Sequence, residues 1–360
     1  MRVVHVTQPV TAGVAEVVRQ FAVAQRDRGW SVTVVCPPTG WLPERCRAAG
    51  VDVCAWPATR NPGPRVAGEV LRLRRILRRL DPDAVHLHSS KAGLAGRLAV
   101  RGRRPTVFQP HMWSFQVSPA AVAWERFAAR WTHQLVCVSD DELEVGRAAR
   151  IGTPAEVVCN GVDTERLRPA DRVAARRRLG LPLDSPVAVC VGRLAPLKGQ
   201  DQLLSAWPAV LAEVPDARLV LVGDGPMTEP WRAGHPVARH GSVVWWGHSD
   251  DVATHYAAAD VVVLPSRAEG MALVPLEAMA CGRSVVAFDV GGVRQSLAGG
   301  GAVLPAGDVP ALAEALAGRL AYPVLADHEG RLGRRRAVDL FGADRAGDRV
   351  ATLLEKLVTG

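Results

Sequence analysis

The feature that most constrains this chain is an alternation that runs, stops and starts again. Six short apolar runs, at 2–7, 31–37, 51–56, 84–89, 106–110 and 135–139, are separated by segments with helical periodicity. After 160–163 comes a polar, arginine-rich stretch with prolines at 169, 182 and 186. Six more runs follow, at 186–192, 217–223, 243–247, 260–265, 284–288 and 302–305. Short apolar strands separated by helices imply a parallel sheet covered on both faces. Two such series predict an α/β chain of two doubly wound, Rossmann-like domains facing across a cleft. Ligands of such sheets bind at the carboxyl ends of the strands. We place the domains at 1–165 and 166–342. The stretch 321–358 reads as helical, and 343–360 is expected to form a helix packing back on the first domain.

A hydrophobic content of 48% over 360 residues is enough for two cores. No run approaches the length of a membrane span. The opening MRVVHVTQPV has the pattern of a first strand, not of a signal peptide. Seven cysteines with no C-x-x-C pair predict buried, reduced thiols and a cytoplasmic location. The net charge of +8 is local: between Arg65 and Arg104, eleven Lys/Arg stand against three acids, an excess equal to the whole. Such a patch suits an anionic membrane surface at the inner face or a phosphorylated acceptor, or it is a solvated helix face. Nucleic acid shares that charge chemistry but is not assigned as a partner. Within the patch, Val66, Val70, Leu73, Leu77 and Leu80 form one apolar stripe among arginines. An interfacial helix has that pattern, and so does an ordinary docked one.

Three segments carry candidate chemistry. GRLAPLKG, 192–199, follows directly on a strand, and from it project Arg193 and Lys198, one of only three lysines. Two cations at the end of a parallel strand suit a diphosphate. Gly223, in VGDGP, permits close backbone approach. The stretch 260–282 reads as strand, tight loop and helix, with Glu269 before the helix and Glu277 inside it. A helix N-terminus is a seat for an anion, and the two carboxylates can accept from sugar or ribose hydroxyls. Asp81-Pro82-Asp83 is formally a D-x-D, read here as a turn ending the basic helix. His86 and His88 alternate on a strand and share a face; without a third ligand they line the core or the cleft.

Taken in order, NGVD at 160–163, GRL and LKG at 192–199, VGDGP at 222–226 and the glutamate pair followed by DVGG at 289–292 resemble the retaining GT-B glycosyltransferases of family 4. That resemblance implies a nucleotide-diphosphate sugar as donor, of UDP or GDP type, and no metal or other cofactor. It implies that Arg193 and Lys198 grip the diphosphate and that Glu277 holds the ribose. Glu269 would contact the sugar, and Gly270, Met271, Ala272 and Leu273 the phosphate or sugar, with Gly192 and Gly223 lining the donor. In the first domain, Gly13 would lie in the loop after the first strand and His111 beside the sugar ring. Trp113 and Phe115 offer aromatic faces to an acceptor, or pack against the helix around Trp124 and Trp131.

The chain departs from the family at three places. Ala12 precedes Gly13 where paired glycines are common, Met271 replaces an aromatic residue, and Arg294 and Gln295 stand where Pro-Glu is frequent. The expected reaction is front-face transfer, with the departing phosphate taking the proton of a hydroxyl acceptor that is a small molecule, a glycan or a lipid-linked group. A sugar-nucleotide epimerase on the same fold and a non-catalytic nucleotide or polyanion-binding module are the alternatives. An NAD(P) oxidoreductase is disfavoured by the absence of G-x-G-x-x-G after the first strand.

Overall fold

The computed structural model describes all 360 residues. Their contacts divide the chain into two units, one of Met1–Gly161 with Ala343–Gly360, the other of Val162–Gly342.

The first unit is built on a seven-stranded parallel sheet. Its strands are β1 (Arg2–Thr7), β2 (Ser31–Cys36), β3 (Asp52–Ala55), β4 (Ala84–His88), β5 (Thr106–Gln109), β6 (Gln134–Cys137) and β7 (Ala155–Val157), in the order β3-β2-β1-β4-β5-β6-β7. The sequence pattern indicated the first six. The three-residue β7 is too short for periodicity to reveal, and it is placed by pairing with β6. Valine and other β-branched residues fill the strands, and helices cover both faces. One face buries Leu73, Leu77, Ala92, Phe108 and Trp113; the other buries Ala15, Val18, Ala22, Val34 and Leu42.

The C-terminal helix Ala343–Thr359 packs on the helix Ala12–Asp27 of the same unit. Gly347 allows the approach, since a Cβ there would lie 2.8 Å from Ala24 Cβ. Arg28 and Asp348 pair alongside at 2.6 Å.

The basic helix Val66–Leu80 buries Leu73, Ile76 and Leu77, while Val66, Val70 and Leu80 are partly covered. Arg72, Arg75, Arg78 and Arg79 are exposed, as is Leu71. The helix ends at Asp81, in the left-handed region at φ +43°. Arg104 and Arg2 take the Asp81 carboxylate, and the Arg2 amide donates to Asp83 at 2.7 Å. The D-x-D therefore serves as a helix stop. Five of the seven cysteines, Cys36, Cys46, Cys137, Cys190 and Cys281, are buried.

The second unit holds a six-stranded parallel sheet: β8 (Val187–Val191), β9 (Arg218–Val222), β10 (Val243–Gly247), β11 (Val261–Leu264), β12 (Ser284–Phe288) and β13 (Gly301–Leu304), in the order β10-β9-β8-β11-β12-β13. Asp171, Asp251 and Asp308 cap the helices that follow them, each accepting from a backbone amide of the first turn. The polar, arginine-rich stretch that follows 160–163 is docked, not loose. Arg172 and Arg176 each lie 2.6 Å from the Asp260 carboxylate, which also accepts from Val187 N. Both sheets reverse their strand order once, between β1 and β4 and between β8 and β11, and crevices form at such switch points.

Candidate active site

The two loops that carry Arg193, Lys198 and Glu269 leave β8 and β11, the strands flanking the switch point of the second sheet. Gly192 and Gly223 end neighbouring strands and touch backbone to backbone; a Cβ on Gly223 would sit 2.2 Å from Gly192 O. The chain then makes one tight turn at Pro196–Lys198 and passes through Gly199, at φ +68°. A Cβ on Gly199 would lie 1.9 Å from Pro265 O, so glycine is what lets the β8 loop press against the β11 loop. The contact is locked by Arg267, whose guanidinium forks onto Asp201 at 2.6 and 2.8 Å and donates to Pro196 O at 2.6 Å. Partial burial pushes the Asp201 carboxyl up, but the Arg267 fork outweighs it and holds the group below its usual range. Sequence reading missed this clamp.

Lys198 and Glu269 meet across that contact, Nζ to Oε1 at 2.6 Å, and Ser266 Oγ donates to the same oxygen at 2.7 Å. Glu269 is mostly covered, whereas Lys198 keeps a third of its side chain exposed. Arg193 is exposed at the start of the same loop. The helix Leu273–Ala280 begins at Ala272 with no side-chain cap and no acid in its first turn. Its positive end is therefore left for an anion. Glu277 lies one turn in and accepts from Tyr256 Oη at 2.7 Å. Burial, then the Glu277 charge, drives the Tyr256 phenol well above its usual value, so it remains a donor. Gly291 and Gly292 back the loop: a Cβ on either would fall 2.4 Å from Glu269 O or 2.8 Å from Gly270 O. Gly270 and Met271 are buried, and Ala272 and Leu273 are half-buried.

The first unit corrects two expectations. Gly13 is not in the loop after β1; it lies in the first turn of the helix Ala12–Asp27. The left-handed position is taken by Ala12, at φ +62°, so the turn comes one residue earlier. Trp113 is 1% exposed, packs edge-on to Phe108 and donates from Nε1 to Glu142 O at 2.7 Å. Its ring belongs to the core and offers no face to an acceptor. Phe115 is half-buried and stacks on Trp113, while Trp124, Phe127 and Trp131 form a separate cluster.

His111 and Met112 both have positive φ, +57° and +122°. Non-glycine residues avoid such conformations unless the surroundings enforce them. Here Glu142 does so, accepting from Met112 N at 2.6 Å with one oxygen and from Val138 N at 2.7 Å with the other. Burial pushes the Glu142 carboxyl up to about 7 against the pull of those two amides. Behind His111 stand His88, 3.1 Å away, and then His5 and His86, all three fully buried. The pair His86 and His88 shares one face, as the alternation implied, and that face is core.

The profile described as "Glycosyl transferases group 1" matches residues 185–321, and that described as "Glycosyltransferase Family 4" matches 11–166. The chain is 34% identical over 275 residues to the GDP-mannose-dependent alpha-(1-6)-phosphatidylinositol monomannoside mannosyltransferase of Mycobacterium tuberculosis H37Rv, covering 71% of this chain and 70% of that protein. It is 35% identical over 308 residues to the D-inositol 3-phosphate glycosyltransferase of Streptomyces bingchenggensis, covering 77% and 67%. With the Mycolicibacterium smegmatis mannosyltransferase the identity is 38% over 208 residues, and this match spans only 54% of either chain. Among solved structures, sucrose-phosphate synthase from Thermosynechococcus elongatus superposes with a TM-score of 0.86 at 23% identity over 99% of both chains. Anabaena HepE in complex with UDP-glucose gives 0.85 at 22% identity, over 99% of this chain and all of the other. These two structures establish the fold, and the sequence relatives carry the kinship further: this chain is a member of glycosyltransferase family 4, within the group 1 glycosyltransferases of GT-B fold.

Proposed function

We propose that the protein transfers a sugar, with retention and without a metal, from a nucleotide-diphosphate donor to a hydroxyl acceptor. The observation that carries this is the cluster at the β8/β11 switch point: an uncapped helix end, two cations on one loop, and two carboxylates on the facing segment. The helix end and the cations Lys198 and Arg193 answer the diphosphate charge, the part a metal would otherwise take. Glu277, oriented by Tyr256, accepts from the ribose; Glu269, oriented by Ser266, accepts from the sugar. We assign His111 to the sugar as well. The glycosidic C–O bond to phosphate breaks as the acceptor oxygen bonds to the same face of the carbon. The acceptor proton passes to the departing phosphate oxygen, so no protein base is required. A hydrolase pair of carboxylates flanking the bond is not needed for this chemistry.

Relatives that act with GDP-mannose and a neighbour solved with UDP-glucose make these two donors the first to try. A thermal-shift screen with UDP, GDP, ADP, dTDP and their sugars tests the proposal; stabilisation by none of them would defeat it. Product anomer by NMR, with and without chelator, tests retention and metal independence. No helix is long and apolar enough to cross a membrane. We further assign the exposed arginines of the helix Val66–Leu80 to an anionic membrane surface at the cytoplasmic face, where a lipid-linked acceptor would be met. Co-sedimentation with vesicles containing phosphatidylglycerol, but not with neutral vesicles, is the expected result.

A further inference from the structure

His5 on β1 and His88 on β4 stand on adjacent strands in the first unit. His5 Nε2 lies 2.8 Å from Gln25 Oε1, His5 Nδ1 lies 3.0 Å from His88 Nε2, and His88 Nδ1 lies 3.1 Å from His111 Nε2. One amide and three rings are thus joined in series. Burial lowers His5 to about 4 and His111 to about 3, and with its histidine neighbours takes His88 well below the usual value. All three rings are neutral near pH 7. A neutral imidazole carries one N–H and one lone pair. Each contact needs one proton, and each ring has one to give, so the end of the series decides every ring. Gln25 turns its carbonyl oxygen, which only accepts, to His5 and leaves its own NH2 buried without a partner. The opposite amide orientation would put the proton on Nδ1 of every ring, and the tautomers measured by NMR decide between the two. With the carbonyl oxygen facing it, His5 must donate from Nε2 and accept at Nδ1, and His88 must do the same. His111 must donate from Nε2, which leaves its Nδ1 with a lone pair on a ring that is only part-buried.

We propose that Gln25 is a positioning residue which, through His5 and His88, fixes His111 in the Nε2–H form and presents Nδ1 as a hydrogen-bond acceptor. That this acceptor takes a hydroxyl of the transferred sugar rests on the proposed transferase activity; the wiring itself does not. Such a series replaces the carboxylate that often orients a functional histidine, and it does so without placing a charge in the core. A metal ion is the rival occupant, because His5, His86 and His88 offer ligand atoms within 4.8 Å of one another. Neither nitrogen of His86 has a partner within hydrogen-bond distance; the Gln109 amide is the group that interacts with the ring. A metal, however, would take lone pairs that the series uses, and no carboxylate is hydrogen-bonded to the three rings to offset its charge.

Long-range 1H–15N NMR of histidine-labelled protein near neutral pH reads each tautomer directly. The Nε2–H form is expected at His5, His88 and His111. In Gln25→Met, which keeps the volume and loses the acceptor, the His111 signal is expected to shift to a mixture of tautomers. Any of the three rings in the Nδ1–H form in the unmodified protein overturns the proposal, and this measurement holds even where the variant does not fold. A His111 signal unmoved in folded Gln25→Met, or one equivalent of zinc on the purified protein by elemental analysis, overturns it as well. Failure of the unmodified protein to bind any nucleotide sugar would instead count against the proposed function, and leaves the tautomer result standing.

Discussion

Lys198 Nζ and Glu269 Oε1 lie 2.6 Å apart, joining two loops that are 71 residues apart in sequence. The pair gives each residue a resting partner. Under the proposed transfer, the lysine turns to phosphate and the carboxylate to a sugar hydroxyl, which exchanges one charge-assisted contact for two. In that proposal the cation's contribution grows as the phosphate leaves, which assigns it to the transition state. Lys198→Ala is expected to lower kcat by ~10²–10³, the usual loss for one electrostatic stabiliser. Steady-state rates with the donor found by thermal shift would check this. Near-normal turnover would reduce the pair to a loop fastening.

Gly291 and Gly292 are expected to matter more for the site than for the fold. A Cβ on Gly291 would lie 2.4 Å from Glu269 O, and neither backbone can yield without moving the other. Gly291→Ala should cost about 1–3 kcal/mol of stability, as overpacking does. Donor affinity should fall further, because the displaced segment carries Glu269 and the start of the helix Leu273–Ala280. Calorimetric titration beside a melting curve separates the two; equal losses would mean that only the fold was affected.

The strands and their two series were legible because buried parallel strands are continuous apolar runs. The positions of the loops that carry Arg193, Lys198 and Glu269 were legible because those loops follow directly on apolar strands; the roles given to these residues belong to the proposed function. What could not be read is side-chain pairing over long sequence distances. Arg267 finds Asp201 across 66 residues, Tyr256 finds Glu277, and Arg172 and Arg176 find Asp260, which docks the polar, arginine-rich stretch. Trp113 misled for a related reason: an aromatic residue after a strand has the same sequence signature whether it turns toward a ligand or into the core. Its burial is fixed by Phe108, Gly146 and the Glu142 carbonyl, none of them adjacent to it in sequence.

Arg97 and Glu125 test the buried electrostatics of the first unit. They lie 2.7 Å apart with each side chain 2% exposed, and the guanidinium also covers the Phe108 ring at 4.1 Å and donates to Gly93 O. Burial lowers the Arg97 pKa, and Glu125 partly restores it. Removing the carboxylate strands a cation in the core. Glu125→Ala should therefore destabilise by about 3–5 kcal/mol in denaturant unfolding. Replacing both residues by apolar ones should recover much of that loss, and a double variant no better than the single would refute the argument.

Glu142 makes the stability of the first unit depend on pH. Burial is the largest influence on it and raises its carboxyl from 4.5 to about 7, while the amides of Val138 and Met112 oppose the rise. A group whose folded pKa exceeds its unfolded value contributes stability that is fully present below the unfolded pKa. That contribution is lost as pH climbs through the folded value. The window is thus from roughly 4.5 to about 7, and the amount, at 1.36 kcal/mol per unit, is on the order of 3 kcal/mol. Glu142→Gln removes the titration. It also leaves one amide facing an –NH2 instead of an oxygen, because both carboxylate oxygens are in use. The variant is expected to be less stable at every pH, by about 1–3 kcal/mol for the unpaired amide. Its unfolding free energy should fall less steeply than that of the unmodified protein between pH 5 and about 7. Urea titrations at four or five pH values in that range would show this. Parallel curves for the two proteins would mean that Glu142 does not titrate there, and that it holds Met112 and the left-handed His111 as a permanent anion.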